Sequence, residues 1–201
     1  MVVKIISVDF QKDFSAEKGK HYKPRKNISF IKEILIPYFR QNNIKVAEII
    51  SDYRLPRPAD SDDSCRAGEW GYESEIPEDI KLKPLWVKCM NSPIWIRDNI
   101  GNPDKKPGLP YQDPDSFTKW LGKVIGKPRD SDIIVLIGLT ADCCVFCTAQ
   151  ELSWRGYTVK ILSEGVGTYS GDESEKEQIL NNPPLNNWAE SISWNELKKL
   201  I

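Results

Sequence analysis

The run GLTADCCVFCTAQELSWRG, residues 138–156, places Cys143, Cys144 and Cys147 within five positions. Several chemistries use clustered thiols, and each makes its own demands. A structural zinc needs about four thiolate or imidazole ligands. Cys144 and Cys147 have C-x-x-C spacing, but no second pair follows. Cys65 and Cys89 stand alone, and the single histidine is His21. A redox dithiol also begins a helix after a strand, yet Val145 and Phe146 fill the gap where glycine or proline often shapes a redox turn. Free cysteine is among the most buried residue types, so packing at a helix start accounts for Cys147 and Cys143. Cys144 differs. It falls at the first turn of an expected helix, where the macrodipole favours a thiolate and free backbone N–H groups can hold an oxyanion. A thiolate there is a nucleophile in want of a base and an orienting charge.

The elements that must position those partners follow from hydrophobic patterning. VVKIISVDF (2–10) is a continuous apolar run ending at Asp9, as expected of a strand buried on both faces of a parallel sheet. Residues 26–43 place Ile28, Ile31, Ile34, Leu35 and Tyr38 at helical spacing, with Pro37 expected to kink or end the helix. Strands are expected at 45–53, ending near Asp52, and at 84–90, carrying Lys88. Long loops are expected over 54–83 and 91–114. A helix at 115–126 leads to the strongest buried-strand signal, DIIVLIGL (132–139). The cysteine helix (142–155) closes at Gly156. A strand at 157–165, a helix at 172–182, a strand at 189–193 and a terminal helix follow. Such alternation predicts one α/β domain over residues 1–201 with a mostly parallel sheet. Crevices in these folds lie beyond the strand carboxyl ends, where Asp9, Asp52, Lys88 and the TADCC segment all fall.

Composition narrows the function. The chain has 201 residues with a formal net charge of −1, 40% hydrophobic and 28% charged. That balance carries no basic footprint for nucleic acid. No apolar run approaches the roughly 20 residues of a membrane span. The opening apolar run lacks a cleavage site and reads as a strand, and five cysteines do not form a secreted disulfide framework. A cytoplasmic protein in a reducing compartment is expected.

Three segments resemble the isochorismatase-like cysteine hydrolases, in that family's order. VDFQKDF (8–14) is similar to its D-x-Q-x-D-F signature, WVKCMNSPIW (86–95) to its K-x-x-x-S segment, and GLTADCCVFCTAQELSWRG to its G-x-x-T-x-x-C-V-x-x-T-A segment. The resemblance implies a three-layer αβα sandwich around a Rossmann-like sheet. It implies Asp9 as catalytic acid and base, Lys88 as catalytic lysine and Cys144, before Val145 and four residues ahead of Thr148, as nucleophile. It further implies an oxyanion hole from the N–H groups of Thr140 and Cys144, with a cis peptide joining Leu139 to Thr140. The reaction implied is hydrolysis of a small amide, ureido or carbamoyl compound through a thioester. Many relatives are dimers or tetramers, and Trp154, Trp188 and Trp194 suit an interface.

The sequence also departs from the family. The nicotinamidase branch holds a metal with an Asp-x-His pair and further histidines. Here SDYRLPRP keeps Asp52 but sets Arg54 in the histidine's place, and a guanidinium has no lone pair to offer. Neither metal nor cofactor is therefore expected. Glu69 replaces a threonine in the family's G-T-x-G turn. Phe14, Trp70 and Trp95 are candidates to line the pocket, and Arg54 or Arg66 to hold a substrate carboxylate. Two other readings stay open. One is a non-catalytic binding or scaffold protein whose altered loops close the pocket. The other is an isochorismatase-type ether hydrolase, a chemistry that does not depend on this cysteine.

Overall fold

The computed structural model describes residues 2–58, 60–129 and 132–201. Its elements in chain order are β1 (Val3–Val8), α1 (Lys12–Ser15), α2 (Lys26–Phe30), α3 (Ile36–Gln41), β2 (Val46–Ser51), β3 (Trp86–Lys88), β4 (Trp95–Ile96), β5 (Tyr111–Gln112), α4 (Pro114–Val124), β6 (Ile133–Leu139), α5 (Cys144–Trp154), β7 (Thr158–Gly167), α6 (Glu173–Asn181), β8 (Glu190–Ile192) and α7 (Trp194–Leu200).

The apolar, β-branched runs become the centre of a six-stranded sheet in the order β3-β2-β1-β6-β7-β8, with every pairing parallel. β2 is buried along its whole length, and β6 along all but its first residue. Helices cover the sheet, giving a three-layer α/β sandwich; α2 and α5 both pack on β7, and α5 also contacts β6 and β1. The order reverses between β1 and β6. This is the topological switch point, beyond whose strand carboxyl ends a doubly wound sheet opens a crevice.

Several details differ from the sequence expectations. Pro37 does not stop its helix. A wider π turn over Ile31–Leu35 precedes it, and Pro37 falls in the first turn of α3, where its missing N–H interrupts least. The loop expected at 91–114 contains the antiparallel β4–β5 ribbon, too short to leave a periodic signal. The 54–83 loop holds single 3₁₀ turns at Trp70–Tyr72 and Glu78–Ile80. α5 starts at Cys144 rather than 142, and Gly156 follows its end at φ +82°.

Gly138, one residue before the end of β6, is demanded by the packing. Its φ is +114°, and a Cβ there would stand 2.0 Å from the Val8 carbonyl oxygen on β1. Left-handed strain and backbone overlap add, so Gly138→Ala is expected to lose about 3 kcal/mol or more of stability. Chemical denaturation checks this; an unchanged midpoint would show that β1 and β6 can separate without cost.

Candidate active site

The sheet sets its own carboxyl edge. Ser51 and Lys88 are the last residues of β2 and β3 and are paired in register. Asp9 follows β1 and donates its backbone N–H to the Ile49 carbonyl (2.8 Å). It adopts φ +49°, a left-handed conformation that aspartate tolerates better than most residues. Three neighbouring strands thus deliver Asp9, Ser51 and Lys88 side by side, and α5 brings Cys144 across the switch point.

Asp9 and Lys88 are fully buried, and Cys144 is 5% exposed. The Lys88 ammonium lies 2.8 Å from Asp9 Oδ2, 2.8 Å from Ser51 Oγ, 2.8 Å from Tyr53 Oη and 3.4 Å from Cys144 Sγ. Ser51 donates its hydroxyl to the other Asp9 oxygen (2.8 Å). Tyr53 Oη is 3.2 Å from Cys144 Sγ, and Asn91 Oδ1 is 3.6 Å from it. A buried ammonium has three protons to place among oxygen acceptors, and this one meets enough of them to stay charged. Burial alone would lower the Lys88 pKa, but its acidic neighbours, the Asp9 carboxylate foremost, outweigh it and raise it well above the usual lysine range. Burial pushes Tyr53 well above its ordinary value, so its hydroxyl remains a donor.

Cys144 itself departs from the expectation of a dipole-favoured thiolate. Burial raises its pKa, Lys88 and Tyr53 oppose the rise, and Asp9 adds to it. A helix N-terminus contributes about 0.3–1 kcal/mol, less than the several kcal/mol needed to bury an anion. The resting group is therefore a thiol, and it needs a base. Cys143 and Cys147 are half-buried with pKa values raised by burial.

Other motif residues hold this arrangement together. Gln11 donates to the Ser51 and Tyr72 carbonyls (both 2.9 Å) and accepts from the Ser51 N–H (2.7 Å). Asp13 accepts from the Cys65 N–H (2.6 Å), and Thr148 donates to the Cys144 carbonyl (2.7 Å). The Leu139–Thr140 peptide is cis. Among the described residues, the N–H groups of Thr140 and Cys144 donate to no protein acceptor.

The thiol opens on a pocket of about 230 Å³, with Phe14, Tyr53, His21, Asn91 and Thr140 among its walls. Phe14 is a sequence candidate placed there, stacked on His21 at 5.2 Å. Trp95 lies in an adjoining recess of about 390 Å³ that shares Arg57, Asp60 and Asn91 with the pocket. The other candidates lie elsewhere. Arg54 grips Asp52 with two bonds (2.8 and 2.6 Å) and donates its remaining protons to the carbonyls of Asn99, Asn102 and Lys105. It is a buried strut between β2 and the 99–105 loop, with no donor left for a ligand. Arg66 is exposed and paired with Asp63 and Glu69, and Trp70 is exposed beneath Lys12. A larger cleft of about 490 Å³ lies between α5 and α6 and holds none of the buried charged groups.

Sequence reasoning passed over Ser51, Tyr53, Asn91 and Arg57. Ser51 and Tyr53 carried a usable signal, since residues two apart on a chain leaving a strand share a side. The donor set does not fit a metal: both Asp52 oxygens are held by Arg54, with Gly101 N–H also on Oδ2. No group of three or more histidine, cysteine, aspartate or glutamate residues is arranged to hold an ion among the described residues.

No protein-family model matches the chain, and no curated protein matches it in sequence. Solved structures do match. An isochorismatase-like hydrolase from Alkaliphilus metalliredigens superimposes with a TM-score of 0.65 over 99% of this chain and 97% of that one, at 19% identity. N-carbamoylsarcosine amidase from Thermoplasma acidophilum gives 0.56 over 96% of each chain at 16% identity. Pyrazinamidase of Pyrococcus horikoshii, in complex with zinc, gives 0.63 over 96% of this chain and all of that one, at 17% identity. The architecture is thus that of α/β proteins built on a doubly wound parallel sheet. More narrowly, the chain has the isochorismatase-like hydrolase fold.

Proposed function

We propose that the protein is a cysteine amidohydrolase acting on a small amide, ureido or carbamoyl compound, with Asp9, Lys88 and Cys144 as its catalytic residues. The observation that carries this reading is a buried thiol in contact with a charged lysine that is itself paired with a carboxylate.

Asp9 accepts the Cys144 proton as Sγ attacks the carbonyl carbon. Lys88 and Tyr53 stabilise the sulfur anion, one by charge and one by hydrogen bond. The N–H groups of Thr140 and Cys144 receive the oxyanion. The C–N bond breaks, and Asp9 returns its proton to the leaving amine. Water, deprotonated by Asp9, then attacks the thioester, releasing the acid product and restoring the thiol. No metal takes part, because the Asp52 carboxylate is committed to Arg54. Elemental analysis is expected to find no zinc at unit stoichiometry; one tightly bound zinc per chain would overturn that part.

Tyr53→Phe keeps the ring and removes the bond to sulfur. Losing one hydrogen bond to a charged group is worth about 1.5–3 kcal/mol, so kcat is expected to fall by roughly 10- to 100-fold, with little change in KM. A loss seen in KM alone would make Tyr53 part of the wall only.

The reading is tested by ammonia or amine release from a panel of small amides, ureido acids and carbamoyl amines. Release by the parent protein that disappears in Cys144→Ala is the expected result. Release that persists in the variant, or none from any compound, counts against it.

A further inference from the structure

We propose that Arg57 is the specificity-determining residue of the Cys144 pocket and receives a carboxylate of the substrate, which makes the preferred substrate an amide or ureido compound bearing an acid group. This rests on the reading of that pocket as a site of amide hydrolysis. Of the cations near the thiol, Lys88 is enclosed and shared among Asp9, Ser51 and Tyr53, so it has no free side for a ligand. Arg57 is different in kind. It lines both the thiol pocket and the adjoining recess. Its guanidinium stacks on the Tyr53 ring, 4.1 Å from the centroid, and that ring's hydroxyl touches Sγ. One aromatic ring therefore joins the cation to the nucleophile.

The guanidinium is also incompletely paired. Asp60 takes its NH2 end, while Nε is buried and has no partner among the described residues. A cation fixed on an aromatic face beside the reacting sulfur, with an N–H still to satisfy, matches the planar acceptor that a carboxylate offers. Arg54 and Arg66 cannot serve in its place, since both are engaged elsewhere. The pocket's histidine does not compete as a cation: burial lowers the His21 pKa, which leaves the ring neutral near pH 7. The volume, about 230 Å³, lies below the roughly 300–1,000 Å³ of sites for drug-sized ligands. A short-chain acid is the fitting size.

The test compares matched pairs: succinamate with butyramide, and N-carbamoyl-β-alanine with propylurea. The parent protein is expected to favour each acid over its neutral partner by about 30-fold in kcat/KM, the worth of a hydrogen bond to a charged group. In Arg57→Gln that ratio should collapse toward one, mainly through KM of the acid, and Arg57→Lys should recover part of it. Asp60→Asn, which removes the resident anion, should lower KM for the acids. Equal use of acid and neutral compound by the parent would overturn the assignment, as would parallel losses for both in Arg57→Gln. Calorimetric binding to Cys144→Ala separates this inference from the hydrolytic reading. Acids that bind there, and fail to bind once Arg57→Gln is added, support the carboxylate site even without turnover. Acids that do not bind to Cys144→Ala overturn it.

Discussion

Cys144→Ser is expected to fold as the parent does and to lose turnover by about 10⁴-fold or more, the scale seen when a nucleophile that works as part of a unit is removed. The geometry explains why a hydroxyl will not substitute. In this site burial already holds the thiol protonated, so proton removal depends on Asp9 and on the cation and donor that meet the sulfur, Lys88 and Tyr53. An alkoxide is a far stronger base than a thiolate, and the same carboxylate would have to generate it in the same dry surroundings. Serine is also smaller, which draws the nucleophile back from its Lys88 contact at 3.4 Å. Mass spectrometry of protein quenched during turnover is the second readout. An acyl adduct on the parent, absent in Cys144→Ser and present in Cys147→Ala, is the expected pattern. An adduct on Cys147, or full activity in Cys144→Ser, would remove Cys144 from the reaction.

The sequence exposed the frame of this site more fully than its contents. Uninterrupted apolar runs such as IIVLIGL suit strands buried on both faces, as in a parallel sheet, and the acidic or basic residue ending a run marks the carboxyl edge. That logic places Asp9, Lys88 and Cys144 at one edge, and the structure joins them through Lys88. It failed where position depends on loop geometry. Arg54 and Arg57 lie three residues apart in SDYRLPRP, with equal chemistry and no periodicity to separate them. The fold turns the first onto Asp52 and the second onto Tyr53. The ionisation state of Cys144 differs from the sequence expectation for a related reason. A helix start is visible in sequence, but the depth of burial that outweighs its dipole is a property of the packed layers.

The largest stability effect is expected at the Asp9–Lys88 pair. Both side chains are fully buried and meet at 2.8 Å. Removing one partner of such a pair strands the other charge in the interior, at a cost of about 3–5 kcal/mol. Lys88→Met and Asp9→Asn should each lose stability on that scale. The double variant, with no stranded charge, should lose clearly less than the sum, by about 2 kcal/mol or more in a double-mutant cycle. It should remain inactive, since the pair is then gone from the chemistry as well. The pH dependence gives an independent sign. The folded-state pKa of Lys88 is raised well above its unfolded value of 10.5. Protonated lysine therefore favours the fold, fully so below about pH 10.5, and this contribution is lost as pH rises toward the folded value. Denaturation midpoints of the parent should fall above pH 10.5 more steeply than those of the double variant, which has no lysine there to titrate. Additive losses in the cycle, together with parallel alkaline profiles, would mean that the two charges do not support each other. The cation beside Cys144 would then have to be held by Tyr53, Ser51 and the Met90 carbonyl alone.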